Sequence, residues 1–287
     1  MTGAPGDGGN GGGLPRRGVL AGGLVAGFTL AAERGALAQV VHTGAGGLDA
    51  GTAELPTSDG AIPAYYARPE GGRVVPVVVV IEEIFGVHEY IRDVCRRLAH
   101  EGYLAVAPEL YARSGVDLSS LTDAQQIVRD VVSKAPDDRA MLDLDEAAAW
   151  ATTRAGDPGR IAVTGFCRGG RDTWLWAAHS PAPKAAVAWY GPLGGATSPI
   201  QPRTPLDVVA DVRCPVLGLY AGQDPSSSPA QIREAEERAK AAGRVVEFVV
   251  YPDAPHGFHA DYRPSYRAGD AADGWGRMLG WFRRYGV

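Results

Sequence analysis

Cys167 stands in the hexapeptide Gly165-Phe-Cys-Arg-Gly-Gly170, directly after the apolar run from Arg160 to Thr164. A thiol flanked by glycines at the end of a strand suits a tight strand-to-helix turn. The glycines allow a bend that side chains would block, and the next amide N–H stays free to meet a developing oxyanion. Read as chemistry, the motif is a cysteine form of the nucleophile elbow; read without chemistry, it is a packed thiol on a strand edge. A free thiol with a pKa near ~8.5 is largely protonated at neutral pH, so nucleophilic use of Cys167 requires a base beside it. Asp224 and His256 each follow a short apolar run, after Tyr220-Ala-Gly-Gln and Tyr251-Pro-Asp-Ala-Pro respectively. An imidazole there would take the thiol proton, and a carboxylate behind it would fix the tautomer and balance the charge formed. Asp224 could instead cap a helix beginning near Ser226–Ser228, and His256 could be a plain loop histidine.

Short β-rich runs alternate with longer helical ones along the chain. Strands are expected at Ile62–Arg68, Val74–Ile81, Tyr103–Ala107, Arg160–Thr164, Ala185–Tyr190, Pro215–Tyr220 and Val245–Tyr251, several of them continuous in Val, Ala and Ile, as in strands buried on both faces. Helices are expected at His88–His100, Asp123–Ser133, Arg139–Arg154, Arg168–His179, Pro229–Ala242 and Tyr266–Tyr285. Such alternation predicts an α/β fold, a mostly parallel sheet with helices on both faces. In that architecture chemistry gathers beyond the carboxyl ends of the strands. Glu82-Glu83, Cys167, Asp224 and His256 all follow strand ends, and nucleophile, acid, histidine is the chain order of α/β-hydrolases.

The first 38 residues read as an export address. A Gly-rich leader precedes Arg16-Arg17, an uncharged apolar stretch runs from Val19 to Ala32, and Ala36-Leu37-Ala38 offers a small-x-small cleavage site before Gln39. The paired arginines favour the twin-arginine route, and the apolar stretch falls short of the roughly 20 residues that a spanning helix needs. The expectation is a periplasmic or secreted protein that meets the membrane transiently during export, with residues 39–287 as a single domain. A hydrophobic content of 45% and a charged content of 21% are ordinary for a globular chain, and a net charge of −5 argues against a nucleic-acid partner. Cys95, Cys167 and Cys214 are too few for a disulfide framework; Cys95 and Cys214 read as packed thiols, with a bridge between them left open.

Several separated motifs carry a resemblance to a known family. Glu82-Glu-Ile-Phe-Gly86, Pro108-Glu-Leu-Tyr-Ala-Arg113, the Cys167 hexapeptide, Gly222-Gln-Asp224 and His256-Gly-Phe258 occur in order over nearly all of the chain beyond residue 38. On these motifs the sequence resembles the dienelactone hydrolase family. The resemblance implies the α/β-hydrolase fold without cofactor or metal. It implies Cys167 as nucleophile, His256 as general base, Asp224 as orienting acid, and Glu83 as an extra carboxylate that keeps the resting thiol neutral. It also implies a small ester or lactone substrate and, where that substrate carries a carboxylate, Arg113 as the residue that pairs with it. Physical reasoning adds the amides of Ile84 and Arg168 as oxyanion donors. Tyr111, within the Arg113 motif, and Tyr190, at a strand end beside Trp189, are candidate substrate contacts. The family's second carboxylate-binding arginine falls here at Ala260, with Arg263 three residues on. His259 and Arg263 either face the pocket or pack their loop, and Arg168 either adds positive potential near the thiol or is a solvated first-turn residue.

No His-Glu-x-x-His, Cys-x-x-Cys or phosphate-cradling glycine loop appears, and the His256–His259 pair lacks a third ligand. Two function classes remain. The first is a cysteine-dependent hydrolase of esters or lactones, with a general carboxylesterase or thioesterase as its variant. The second is a non-catalytic binder of small carboxylates on the same scaffold.

Overall fold

The computed structural model describes residues 1–3 and 41–287, so the expected export segment and its cleavage site fall almost wholly outside the described residues. Eight strands form one sheet: β1 (Leu48–Thr57), β2 (Gly60–Pro69), β3 (Val75–Ile81), β4 (Leu104–Pro108), β5 (Gly156–Phe166), β6 (Ala185–Trp189), β7 (Val216–Ala221) and β8 (Val246–Tyr251). Their spatial order is β1-β2-β4-β3-β5-β6-β7-β8. The six strands from β4 to β8 run parallel, and β1 and β2 join one edge antiparallel. This is the mostly parallel α/β-hydrolase sheet that the sequence implies.

The continuous apolar run of β3 follows from its central place. Val77, Val79 and Ile81 face one core and Val78 and Val80 the other, all fully buried. Helices α1 (Glu89–His100) and α7 (Ala268–Arg284) cover one face of the sheet. Helices α3 (Asp137–Thr152), α4 (Arg168–His179) and α6 (Pro229–Ala241) cover the other. Two short helices, α2 (Ala124–Asp130) and α5 (Pro205–Val208), lie in connections. A third cluster, with Ile84, Tyr111, Ile127 and Val131 among its members, joins α2 to the exits of β3 and β4. Among the described residues no helix is long and apolar enough to cross a membrane.

Strand β1 was not expected from the sequence. Leu48 and Leu55 are its buried residues, and the rest is small or polar, as an edge strand permits. The helix expected over Asp123–Ser133 is capped by the Asp123 side chain but ends at Asp130, and a 3-10 turn at Val132–Lys134 follows. Ala135 takes an extended conformation before Pro136, which forbids continuation. All three cysteines are free and buried, so Cys95 and Cys214 are packed thiols and no bridge joins them.

Candidate active site

Strand β5 delivers Cys167 to a sharp turn from which α4 departs, and the residue takes φ 56° and ψ −117°. A non-glycine residue in that region costs on the order of 1–3 kcal/mol, which the surrounding packing must hold. Its amide donates to Trp189 O at 3.0 Å. The turn closes because its neighbours lack side chains: a Cβ on Gly169 would stand 2.4 Å from both Ile81 O and Glu82 O. The first turn of α4 is therefore pressed against the exit of β3, which brings together the backbone segments carrying the Ile84 and Arg168 amides. Arg168 opens the helix, where amides have no intrahelical acceptor.

His256 follows β8 and Asp224 follows β7, the two outermost parallel strands. His256 Nδ1 and Asp224 Oδ2 are 2.6 Å apart and both side chains are buried. Asp224 Oδ1 accepts from Ser226 N at 2.8 Å, while the following helix is capped by Ser228 in a capping box with Gln231, so Asp224 is not its cap. The Cys167 sulfur is close enough to act on the charge of the imidazole. Burial opposes the imidazolium, but the Asp224 charge, the Cys167 sulfur and the hydrogen bond to Asp224 outweigh it and hold His256 above its ordinary range. Burial likewise opposes the Asp224 carboxylate, and the His256 contact with the Ser226 bond holds it below the ordinary range.

Glu83 is fully buried beyond β3 and directs its carboxylate to the loop after β8. Tyr262 Oη donates to Glu83 Oε2 at 2.5 Å, His88 Nε2 lies 3.6 Å from the same oxygen, and Arg263 Nη2 lies 3.2 Å from Oε1. Although burial raises it, the Arg263 guanidinium first, then His88 and Tyr262, bring the Glu83 carboxyl down to about 2. Arg263 Nη2, buried, completes no hydrogen bond among the described residues.

Arg113 lines a cavity together with Tyr111 and Arg168. It forks onto Asp143 at 2.6 and 3.1 Å, meets Asp59 at 2.7 and 3.1 Å, and reaches Thr57 Oγ1 at 2.8 Å, so its donors are occupied by the protein's own acceptors. Arg168 is not a solvated first-turn residue: it pairs with Asp172 at 3.1 Å and Asp137 at 3.0 Å. Tyr111 is buried in the cluster over the β3 and β4 exits. Tyr190, with φ 39°, sets its ring 5.2 Å from that of His256. His259 packs between Phe166 and Trp275 and bonds Tyr90 Oη at 2.7 Å; burial, aided by the Arg97 charge, takes it down to about 3, so it is a neutral packing residue.

Residues 62–286 match the model of the dienelactone hydrolase family. The chain belongs to that family. A dienelactone hydrolase relative from Methylorubrum extorquens, named "Putative carboxymethylenebutenolidase", is 56% identical over 96% of this chain and 94% of its own. A Salmonella typhi protein of the same name is 51% identical over 86% and 92%. The crystal structure of a "Putative Dienelactone Hydrolase" from Klebsiella pneumoniae superposes with a TM-score of 0.81 at 49% identity, covering 83% of this chain and 99% of that one.

One contact in this member of the family has no local signature in the sequence. Glu82 Oε1 accepts from Leu110 N at 2.9 Å and Glu109 Oε2 accepts from Val87 N at 3.1 Å, with the two carboxyls close enough to act on each other's charge. Burial first, then the Glu109 charge, pushes Glu82 well above the usual carboxylate range. The pair ties the loop that carries Ile84 to the loop that carries Tyr111. The Glu82-Glu83 doublet was visible in the sequence, but nothing there marked Glu109 as its partner. Tyr262 and His88 were missed as partners of Glu83 for the same reason.

Proposed function

We propose that this chain hydrolyses an ester or lactone through a thioester on Cys167. The observation that carries this reading is a thiol held at a positive-φ turn, near enough to act on the charge of His256, whose Nδ1 meets Asp224 at 2.6 Å. In the proposed reaction the Cys167 sulfur attacks the carbonyl carbon and its proton passes to His256. The carbonyl oxygen becomes an oxyanion met by the Ile84 and Arg168 amides, each such donor being worth about 3 kcal/mol. Collapse breaks the bond to the alkoxide oxygen, which takes the proton from His256; in a lactone this opens the ring. Water then gives a proton to His256 and attacks the thioester, releasing acid and regenerating the thiol. Asp224 stabilises the imidazolium at each stage.

Carboxylate recognition is assigned to Arg263. It pairs with one carboxylate, Glu83 at 3.2 Å from a buried Nη2 that completes no hydrogen bond among the described residues, whereas Arg113 is held by two, Asp59 and Asp143, and position 260 is alanine. The same arrangement supports a general carboxylesterase as the second reading. The test compares turnover of a dienelactone and of p-nitrophenyl acetate by wild type and Cys167→Ala. Loss of at least a thousandfold in the variant supports the reading, and undiminished turnover overturns it. We also propose export through the paired arginines at 16 and 17; Arg16→Lys with Arg17→Lys is expected to leave the protein in the cytoplasmic fraction, and unaltered export would contradict that route.

A further inference from the structure

A cavity of about 470 Å3 lies between α2 and the segment that follows β6. Its walls include Ile84, Val128, Val132, Pro192 and Arg168. We propose that it receives an uncharged apolar substituent of the scissile carbonyl, either the acyl chain or the alcohol group. The proposal rests on the Cys167 reading and deepens it by assigning a substrate class.

Place supports the assignment. A carbonyl whose oxygen sits on the Ile84 and Arg168 amides presents its substituents next to those two residues, and both border the cavity. Charge supports it too. The cations in the wall are Arg129, Arg168 and Arg171, and each is already paired: Arg129 with Asp130 at 3.1 Å, Arg168 as above, and Arg171 with Asp137 at 2.7 Å and Asp172 at 2.8 Å. An anion gains little from guanidiniums so satisfied, while an alkyl or aryl group gains from the apolar wall supplied by α2. Arg263, beyond β8, shares its charge with a single carboxylate, Glu83 at 3.2 Å, where Arg168 and Arg171 each meet two. The two observations together describe a substrate with an apolar arm on the α2 side and an anionic or polar arm on the Arg263 side.

The test measures kcat/KM along p-nitrophenyl acetate, butyrate and hexanoate, and along methyl, butyl and hexyl acetates. In wild type one series rises by about three- to fourfold per buried methylene, and which series rises identifies the arm. Val128→Trp, which fills the cavity from a half-buried position, lowers the hexyl-to-short ratio of that series at least tenfold, and Val128→Ala raises it. A flat profile in both series, or a Val128→Trp ratio within twofold of wild type, overturns the proposal. A second measurement is independent of turnover: 1-hexanol titrated into Cys167→Ala is expected to shift the backbone amides of Val128, Val132 and Ala196, and unshifted signals overturn the proposal. If Cys167→Ala keeps full turnover, the parent reading fails and the 1-hexanol titration alone decides whether the cavity takes apolar groups.

Discussion

Asp224→Asn removes the charge behind His256 and sets an NH2 donor where Oδ2 accepted from Nδ1–H, while the asparagine Oδ1 can still accept the Ser226 N–H that Asp224 holds at 2.8 Å. With Oδ2 and Nδ1 2.6 Å apart, the charge centres of carboxylate and imidazolium stand roughly 4 Å apart, which at an effective dielectric near ~20 is worth about 4 kcal/mol. That energy stabilises the imidazolium formed when the thiol is deprotonated, so its loss predicts a fall in kcat/KM of roughly a thousandfold at about 1.4 kcal/mol per decade. The assay is ester hydrolysis between pH 5 and 9, paired with the rate of Cys167 alkylation by iodoacetamide, which should slow over the same range. Stability gives an independent check. His256 is raised in the folded protein and Asp224 lowered, so their mutual contribution is present between the ordinary aspartate range and the raised imidazole value. It is lost as pH climbs through that imidazole value, and the Tm gap between wild type and variant should therefore close toward alkaline pH. Hydrolysis within tenfold of wild type, with the same pH profile, would refute the reasoning.

Glu82, raised in the fold by burial and by Glu109, favours the folded state when protonated. Wild type should lose stability as pH rises from the ordinary carboxylate range through the raised Glu82 value, while Glu82→Gln should flatten that loss in a Tm-against-pH scan; parallel curves would contradict the buried pair. Gly169→Ala forces a methyl against Ile81 O and Glu82 O. It should cost about 1–3 kcal/mol in denaturant unfolding, together with a loss of kcat larger than that of KM because the oxyanion segments are pushed apart; a variant neutral in both would deny the close approach. Arg263→Met should raise KM for a carboxylated lactone by about ten- to a hundredfold, the range of a charged hydrogen bond, and change KM for a neutral ester much less. Equal changes for both would remove Arg263 from recognition.

The sheet was legible because its parallel strands are buried on both faces, and burial leaves continuous Val and Ala runs such as Val77–Ile81. Edge strand β1 escaped because solvent asks little of its side chains beyond Leu48 and Leu55. The strand-end positions of Cys167, His256 and Asp224 were legible because each follows a short apolar run and local glycines mark the turn at Cys167. Their partners were not. The contacts of Glu83 with Tyr262 and Arg263, of Glu82 with Glu109, and of Arg113 with Asp59 and Asp143 join residues distant in sequence. No local pattern encodes them, and the adaptable fork of an arginine gives no hint of which carboxylate will fill it.

The proposed covalent step is open to direct test. A slowly deacylating ester mixed with the enzyme and quenched in acid should give an intact mass increased by the acyl group, with the label on the Cys167 peptide and released by hydroxylamine. Cys167→Ala should remain unlabelled. Acyl transfer to another residue, or steady turnover by Cys167→Ala at the wild-type rate, would contradict the account.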